Sequence, residues 1–478
     1  MVLPNSDLTL ADIDLGSVDA EADRRLSEYF VKTPYVDSAL SVRRSHYLGR
    51  KGSGKSALFT QLDRLISEAG FESTRVLKVT PDQYAWNALR QYQEQGLLPE
   101  QAHANAWKFT IAIEVAGALA DVSDDLLSGK NARVARGQLA DFIRANYGDD
   151  DPTLYSTASR LLTGIRSFNL QGFGFGVGLE RADQEQPLTP LIIESLLELI
   201  EAVARNVGVV VALDKLDDSW DGSEQSRHLL IGLLKATKEI NDRFSGGDPA
   251  AGLAVLVFLR SDIYEGLRFD DKDKHRAAEE HIAWNPELLK EMINERLPNG
   301  IEADHLFEDG EMRGSILPFN YIVKRTFLRP REVLQYLQEC IHRAGGDARE
   351  ITKDQVREAE ARYSSWKVED LKQEYRRVHP EFEDLLESLR QGQHRYDSIE
   401  EFEEHLRSAA SDVVETLGVR SAIELLFNAS VIGVRLGDSG SPRFRCEDSD
   451  LVLPASGAVY VHQSLYRGLN IREKRAKE

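Results

Sequence analysis

The stretch Ser45-His46-Tyr47-Leu48-Gly49-Arg50-Lys51-Gly52-Ser53-Gly54-Lys55-Ser56-Ala57 decides how this chain reads. Gly49, Gly54, Lys55 and Ser56 fill every specified position of the pattern G-x-x-x-x-G-K-[ST]. Glycines let the backbone turn so that successive N–H groups face phosphate oxygens. A helix that follows presents its positive N-terminal end to the same oxygens. Lys55 is expected along the β- and γ-phosphates, and the Ser56 hydroxyl on Mg2+. A chance match in a chain this long is on the order of one or two per cent. The context strengthens it. A short strand, Ser45–Leu48, precedes the loop, and Lys55–Ala69 places Leu58, Leu62, Leu65 and Ile66 on one helical face. Gly49 through Ala57 is therefore the expected site for the phosphates of ATP.

Working outward, Val209-Val210-Val211-Ala212-Leu213 is an apolar strand that delivers Asp214 at its carboxyl end, the edge where open α/β sheets bind ligands. Asp214 is expected to hold Mg2+ opposite Ser56. Many ATPases carry a Glu next, which polarises the attacking water. Here the residue is Lys215, and Asp217 is the candidate base. Asp214-Lys215-Leu216-Asp217 also looks like the guanine-reading N-K-x-D, but its first residue is wrong and no D-x-x-G precedes it, so GTP ranks below ATP. The strand Val255–Leu259 ends in Arg260, a candidate sensor of the γ-phosphate. Arg329 and Arg331 stand before the helix Val333–His342, where arginines of a helical lid can reach back to a nucleotide. Thr74–Thr80 and His281–Trp284 read as further strands. Strands alternating with helices imply a parallel sheet covered on both faces.

The 478 residues suffice for several domains, and 42% hydrophobic with 29% charged residues is an ordinary globular balance. The longest apolar runs are strand length, far below the roughly 18–20 residues of a membrane helix. The N-terminus lacks a basic stretch followed by an apolar one. Two distant cysteines, Cys340 and Cys446, suit neither a disulfide framework nor a zinc site. The expectation is a cytoplasmic protein with no membrane partner. A net charge of −20 disfavours whole-molecule attraction to nucleic acid.

Residues 1–40 read as a helical lead-in, with Ala20–Phe30 as its helix. A nucleotide core is expected over 41–300, with an insertion at about 81–190. The insertion contains helices at Trp107–Ala120, Asp121–Ser128 and Arg133–Tyr147, and the alternating run Gly172–Gly178, which reads as a hairpin. A helical lid is expected over 301–360 and a C-terminal region over 361–478. In that region a helix at Ser421–Ser430, a strand at Val431–Leu436, and a hairpin from Arg443–Arg445 and Ala458–His462 suit a winged-helix-like α+β module. Arg435, Arg443, Arg445, Arg467, Arg472, Lys474, Arg475 and Lys477 make it the most basic part of the chain, a candidate nucleic-acid footprint. Glu447, Asp448 and Asp450 dilute that patch, and a docking or oligomerisation module has equal weight.

With these residues in hand, the chain resembles a bacterial P-loop ATPase family within the broad class joining AAA+ ATPases and the signal-transduction ATPases with numerous domains. The resemblance rests on Ala20-Glu21-Ala22-Asp23, Gly49 to Ala57, Asp214-Lys215-Leu216-Asp217 with Trp220, Arg260-Ser261-Asp262, Trp284, and Arg329-Pro330-Arg331-Glu332. It implies sheet order 5-1-4-3-2 and a helical lid. It also implies a sensor-1 role for Arg260, a sensor-2 role for Arg329 or Arg331, and a context of DNA transactions or phage defence. The expected activity is ATP hydrolysis with Mg2+ that drives a conformational or assembly switch, in a homo-oligomer or with a partner protein. A nucleotide-gated scaffold with little turnover is the alternative, followed by a GTPase and a small-molecule kinase.

Overall fold

The computed structural model describes residues 8–94, 96–148, 152–166, 185–186, 188–244, 249–435 and 440–472. The glycine alternation at Gly172–Gly178, and Leu436, Lys474, Arg475 and Lys477, lie outside the described residues. Two compact units emerge. One comprises residues 32–50 and 55–282; the other comprises residues 1–31, 51–54 and 283–478. The core boundary expected near residue 300 therefore falls at Ile282, and the N-terminal 40 residues are divided between the units.

In chain order the strands are β1 (His46–Gly49), β2 (Arg75–Val79), β3 (Ile165–Arg166), β4 (Glu185–Gln186), β5 (Val209–Leu213), β6 (Leu253–Arg260), β7 (Glu279–His281), β8 (Arg395–Tyr396), β9 (Ile432–Val434) and β10 (Val459–Val461). The first unit is built on a parallel sheet of order β2-β5-β6-β1-β7. Counting only its own strands, this is the expected order 5-1-4-3-2. The physical cause is legible in β5 and β6. Every residue of β5 is buried, as is β6 up to Arg260, so both faces need helical cover. The register sets Gly49 of β1 beside Arg260 of β6, and Leu213 of β5 beside Val257. The loop after β1 and the residues after β5 and β6 thus leave the sheet at its carboxyl edge.

The insertion supplies much of the cover. The helix Pro99–Ala120 is apolar nearly all round and largely buried. It packs on the helices Lys130–Tyr147, Pro190–Ala204 and Glu224–Arg243. Gly232 permits the closest crossing: a Cβ there would lie 2.6 Å from His103 Cβ. Trp107 Nε1 donates to Leu229 O at 3.0 Å across the same helix pair.

Three local expectations need correction here. Asp121–Ser128 is not a helix; only Asp124–Leu126 turns, as a single 3-10 turn. Ser and Asp side chains compete for the backbone in such a run, and Gly129 at φ +90° breaks it. Ala20–Phe30 forms successive turns instead of a helix, its bonds spanning three residues, as in Leu26 N to Asp23 O. There Asp23 is drawn into a buried pair with Arg296 at 3.1 Å and accepts from the Tyr29 hydroxyl. The fifth strand is Glu279–His281, displaced from the expected His281–Trp284, which leaves Trp284 outside the sheet.

In the second unit, the helices Pro286–Arg296, Pro318–Val323, Pro330–Ala344 and Lys353–Tyr375 share a core with Leu10 and Leu15. Tyr336 and Tyr363 stack within it at 4.7 Å. A further core around Phe382, Phe402, Leu426 and Val459 lies under the three-stranded sheet β8-β10-β9. The expected hairpin is corrected: β10 pairs antiparallel with β9 and β8, whereas Arg443 makes only an isolated bridge to Val434. No helix among the described residues is long and apolar enough to cross a membrane.

Candidate functional site

The turn after β1 is built on two glycines in the left-handed region, Gly52 at φ +79° and Gly54 at φ +98°. The helix Lys55–Glu68 starts directly after them. Its first residues carry the chemistry. Ser56 Oγ donates to Asp214 Oδ2 at 2.8 Å, although the two are 158 residues apart in sequence. Lys55 Nζ, on a side chain that is 8% exposed, donates to Gly49 O at 2.8 Å and Arg50 O at 3.2 Å. Ala57 lies in the same first turn, its carbonyl accepting from Thr60.

Asp214 is 2% exposed, held at the end of β5 by its own N–H on Val79 O. Burial pushes its carboxyl above the usual range, against the Ser56 hydroxyl, the Lys215 N–H and the Lys55 ammonium. Burial likewise lowers Lys55 from the usual lysine value, opposed by Asp217 and Asp214. Both charged forms are therefore under-compensated within the protein. A hydroxyl and a carboxylate in contact are hard oxygen donors of the type Mg2+ takes from protein, with phosphate oxygens supplying others.

Arg260 Nη1 lies 3.8 Å from Asp217 Oδ2, and its guanidinium grips Asp262 through two contacts, at 3.1 and 2.6 Å. The sensor and base candidates are thus neighbours. Lys215, at the position of the usual Glu, has φ +60°, a conformation that costs a side-chain-bearing residue roughly 1 kcal/mol or more. Arg50 reaches Glu265 at 3.8 Å. Asp262 enters the sequence reading only within Arg260-Ser261-Asp262, with no role of its own, and Glu265 not at all.

In the second unit, the tip residues Lys51–Gly54 meet two side chains. Trp284 Nε1 donates to Ser53 O at 2.7 Å. Arg331 lays its stem on Gly52, where an added Cβ would stand 3.1 Å from Arg331 Cβ. Arg329 is placed otherwise. It is buried, 3.0 Å from Glu374 and 3.5 Å from Glu332. Of the two arginines expected to reach the nucleotide, Arg331 is the one set against the loop, and Arg329 is committed to buried carboxylates.

The basic residues of the C-terminal region are partly neutralised. Arg443 pairs with Asp448 at 2.7 Å, Arg445 bonds Asn428, and Arg467 stands 4.0 Å from Glu360. Arg395 and Arg435 flank the Tyr460 ring at 5.7 and 5.9 Å.

Three comparisons bear on this chain. A family profile described as a FunZ-associated C-terminal helical domain matches residues 287–372. A protein of Escherichia coli (strain K12), named for transposon gamma-delta and a mass of 80.3 kDa, is 22% identical over 494 residues, covering 95% of this chain and 67% of that protein. Among solved structures, the Aeropyrum pernix ORC2 protein with ADPNP and ADP aligns over 86% of this chain and 91% of its own, at 11% identity and a TM-score of 0.32. Its ADP form aligns over the same shares at 11% identity and a TM-score of 0.33.

Proposed function

We propose that the chain binds ATP through Gly49–Ala57 and hydrolyses it with Mg2+ to drive a conformational or assembly switch. The observation that carries this reading is the 2.8 Å contact between Ser56 Oγ and Asp214 Oδ2. A glycine turn opening a helix is a phosphate cradle, and an acidic strand end touching its first hydroxyl is a metal site. The contact of Ser56 with Asp214 supports that chemistry.

Lys55 exchanges its carbonyl partners for the β- and γ-phosphate oxygens. Ser56 and Asp214 would hold Mg2+, which would supply positive charge to the phosphate oxygens. Arg260 contacts the γ-phosphate, and Asp217 orients the attacking water. Arg331, whose stem lies on Gly52, is the sensor-2 candidate of the pair, and Arg329 is committed to Glu374 and Glu332. The name of the Escherichia coli relative favours work on DNA. The C-terminal region, with its three-stranded sheet and arginines, is the candidate surface for nucleic acid or a partner protein.

The test is MgATP binding and phosphate release by wild type and Lys55→Ala, with and without DNA. Wild type is expected to bind at micromolar concentrations and the variant to lose both properties, by about 100-fold or more. Wild-type phosphate release no faster than that of Lys55→Ala would sink hydrolysis.

A second reading, a nucleotide-gated scaffold with little turnover, is favoured by Lys215 in place of a Glu and by Arg260 beside Asp217. Arg260 stands 3.8 Å from the candidate base and grips Asp262 beside it. This reading predicts tight ATP retention and a nucleotide-dependent change of oligomer size in size-exclusion chromatography.

A further inference from the structure

We propose that Trp284 is a positioning residue that locks the orientation of the Ser53–Gly54 peptide, and so aims the Gly54 N–H at the nucleotide phosphates. The inference rests on the nucleotide reading of the loop and adds a residue to it. Its basis is geometric. In a trans peptide the carbonyl of one residue and the N–H of the next share a plane and point in opposite directions. Trp284 Nε1 holds the Ser53 carbonyl at 2.7 Å, and thereby sets where the Gly54 N–H points.

That peptide is bounded by a glycine that tolerates either orientation. Gly54 sits at φ +98° and Gly52 at φ +79°, and glycines flip between such states at little steric cost. The indole also covers the peptide: a Cβ on Gly54 would stand 3.8 Å from Trp284 Cζ2, in ordinary contact. On the other side of Ser53, the Arg331 stem packs on Gly52. The tip is held at both ends while the Ser53 hydroxyl, on a side chain 4% exposed, has no hydrogen-bond partner of its own. A buried hydroxyl beside a fixed amide is a donor left for a phosphate oxygen. Trp284 thus acts through the peptide without touching the reacting atoms.

Trp284→Phe keeps a ring and deletes the N–H. The amide contact is present both before and during phosphoryl transfer. Its loss should therefore raise the Kd and KM for MgATP about five- to tenfold and leave kcat nearly unchanged. A residue that merely holds the fold together would lower kcat with the folded fraction and leave KM alone. The second measurement needs no variant enzyme activity. With 5-fluorotryptophan in the full chain, the fluorine resonance absent from Trp284→Phe should shift on addition of MgATP to the wild type. If wild type does not bind MgATP, the nucleotide reading falls and this inference with it. If wild type binds but Trp284→Phe has the same Kd and KM, or the wild-type Trp284 resonance stays in place at saturation, the peptide-lock role is overturned and the nucleotide reading stands.

Discussion

Two regions of this molecule bury charge, and they balance it differently. At the sheet edge, burial pushes Asp214 up and Lys55 down, each toward its neutral form. Beneath the helix Pro330–Ala344, Arg329, Glu332, Lys367 and Glu374 are just as buried, yet burial is overcome at Arg329 and Glu332, whereas Lys367 is lowered by burial as Lys55 is. Glu374 and Glu332 raise Arg329 above the usual arginine value, and Lys367 with Arg329 keeps Glu332 below the usual carboxylate range. Glu332 also accepts from the Phe327 N–H at 2.6 Å, from Lys367 at 2.5 Å and from the Tyr363 hydroxyl at 3.2 Å. One set is completed by the fold. In the other, the charged forms of both Asp214 and Lys55 stay disfavoured. Opposite charges packed against Arg329 and Glu332, not the degree of burial, make the difference at those two residues.

The comparison can be broken by substituting one carboxylate in each region. Asp214→Asn keeps an acceptor for Ser56 but removes the metal-binding charge, so phosphate release should fall at least about 100-fold. The urea midpoint should stay or rise, because a poorly solvated carboxylate is gone. A fall of more than about 2 kcal/mol in stability would mean Asp214 is structural after all. Glu332→Gln should do the reverse. Leaving Lys367 and Arg329 without that charge is expected to cost about 3–5 kcal/mol in denaturant unfolding, with ATP affinity of the folded fraction little changed.

A third kind of buried group sharpens the contrast. His46 on β1 sits 3.0 Å from His275, and burial, together with the His275 charge, lowers its value to about 3. His462, wedged edge-on against Phe327 and Phe444, is lowered to about 3, again by burial. The unfolded chain takes up protons near pH 6.5, well above these folded values. Their stabilising contribution is therefore full above pH 6.5 and is lost as the pH falls. Each should cost about 2–3 kcal/mol by pH 4.5. Urea midpoints followed from pH 7 to pH 4.5 should fall steadily, and a His462→Asn variant should fall less steeply. A flat profile would show that the two rings do not stay neutral in the folded state.

The parts of the site legible in sequence were those whose chemistry is local. The glycine loop, the all-apolar β5 with Asp214 at its end, and Arg260 at the end of β6 each declare themselves within a few residues. The strand order came from the family resemblance; the structure has that order. What went astray depended on distant neighbours. Ala20–Phe30 has helical spacing, but Asp23 is spent on Arg296 and Tyr29, far along the chain or across a turn. Arg329 and Arg331 are indistinguishable by spacing; only packing against Glu374 or Gly52 sorts them. Trp284 read as the end of a strand, since nothing nearby tells that its N–H is used on Ser53, 231 residues earlier.

By itself, the sequence determined that a glycine turn opens a helix, that a buried strand ends in a carboxylate, and that the sheet is covered on both faces. These follow from residue size, charge and the left-handed backbone that glycine permits, all properties carried by a short segment. The tertiary structure alone decided that Ser56 meets Asp214, which arginine faces the loop, and which buried charges are left uncompensated. Such outcomes are sums over neighbours brought together by the register of parallel strands and the packing of helices, and no short segment contains them.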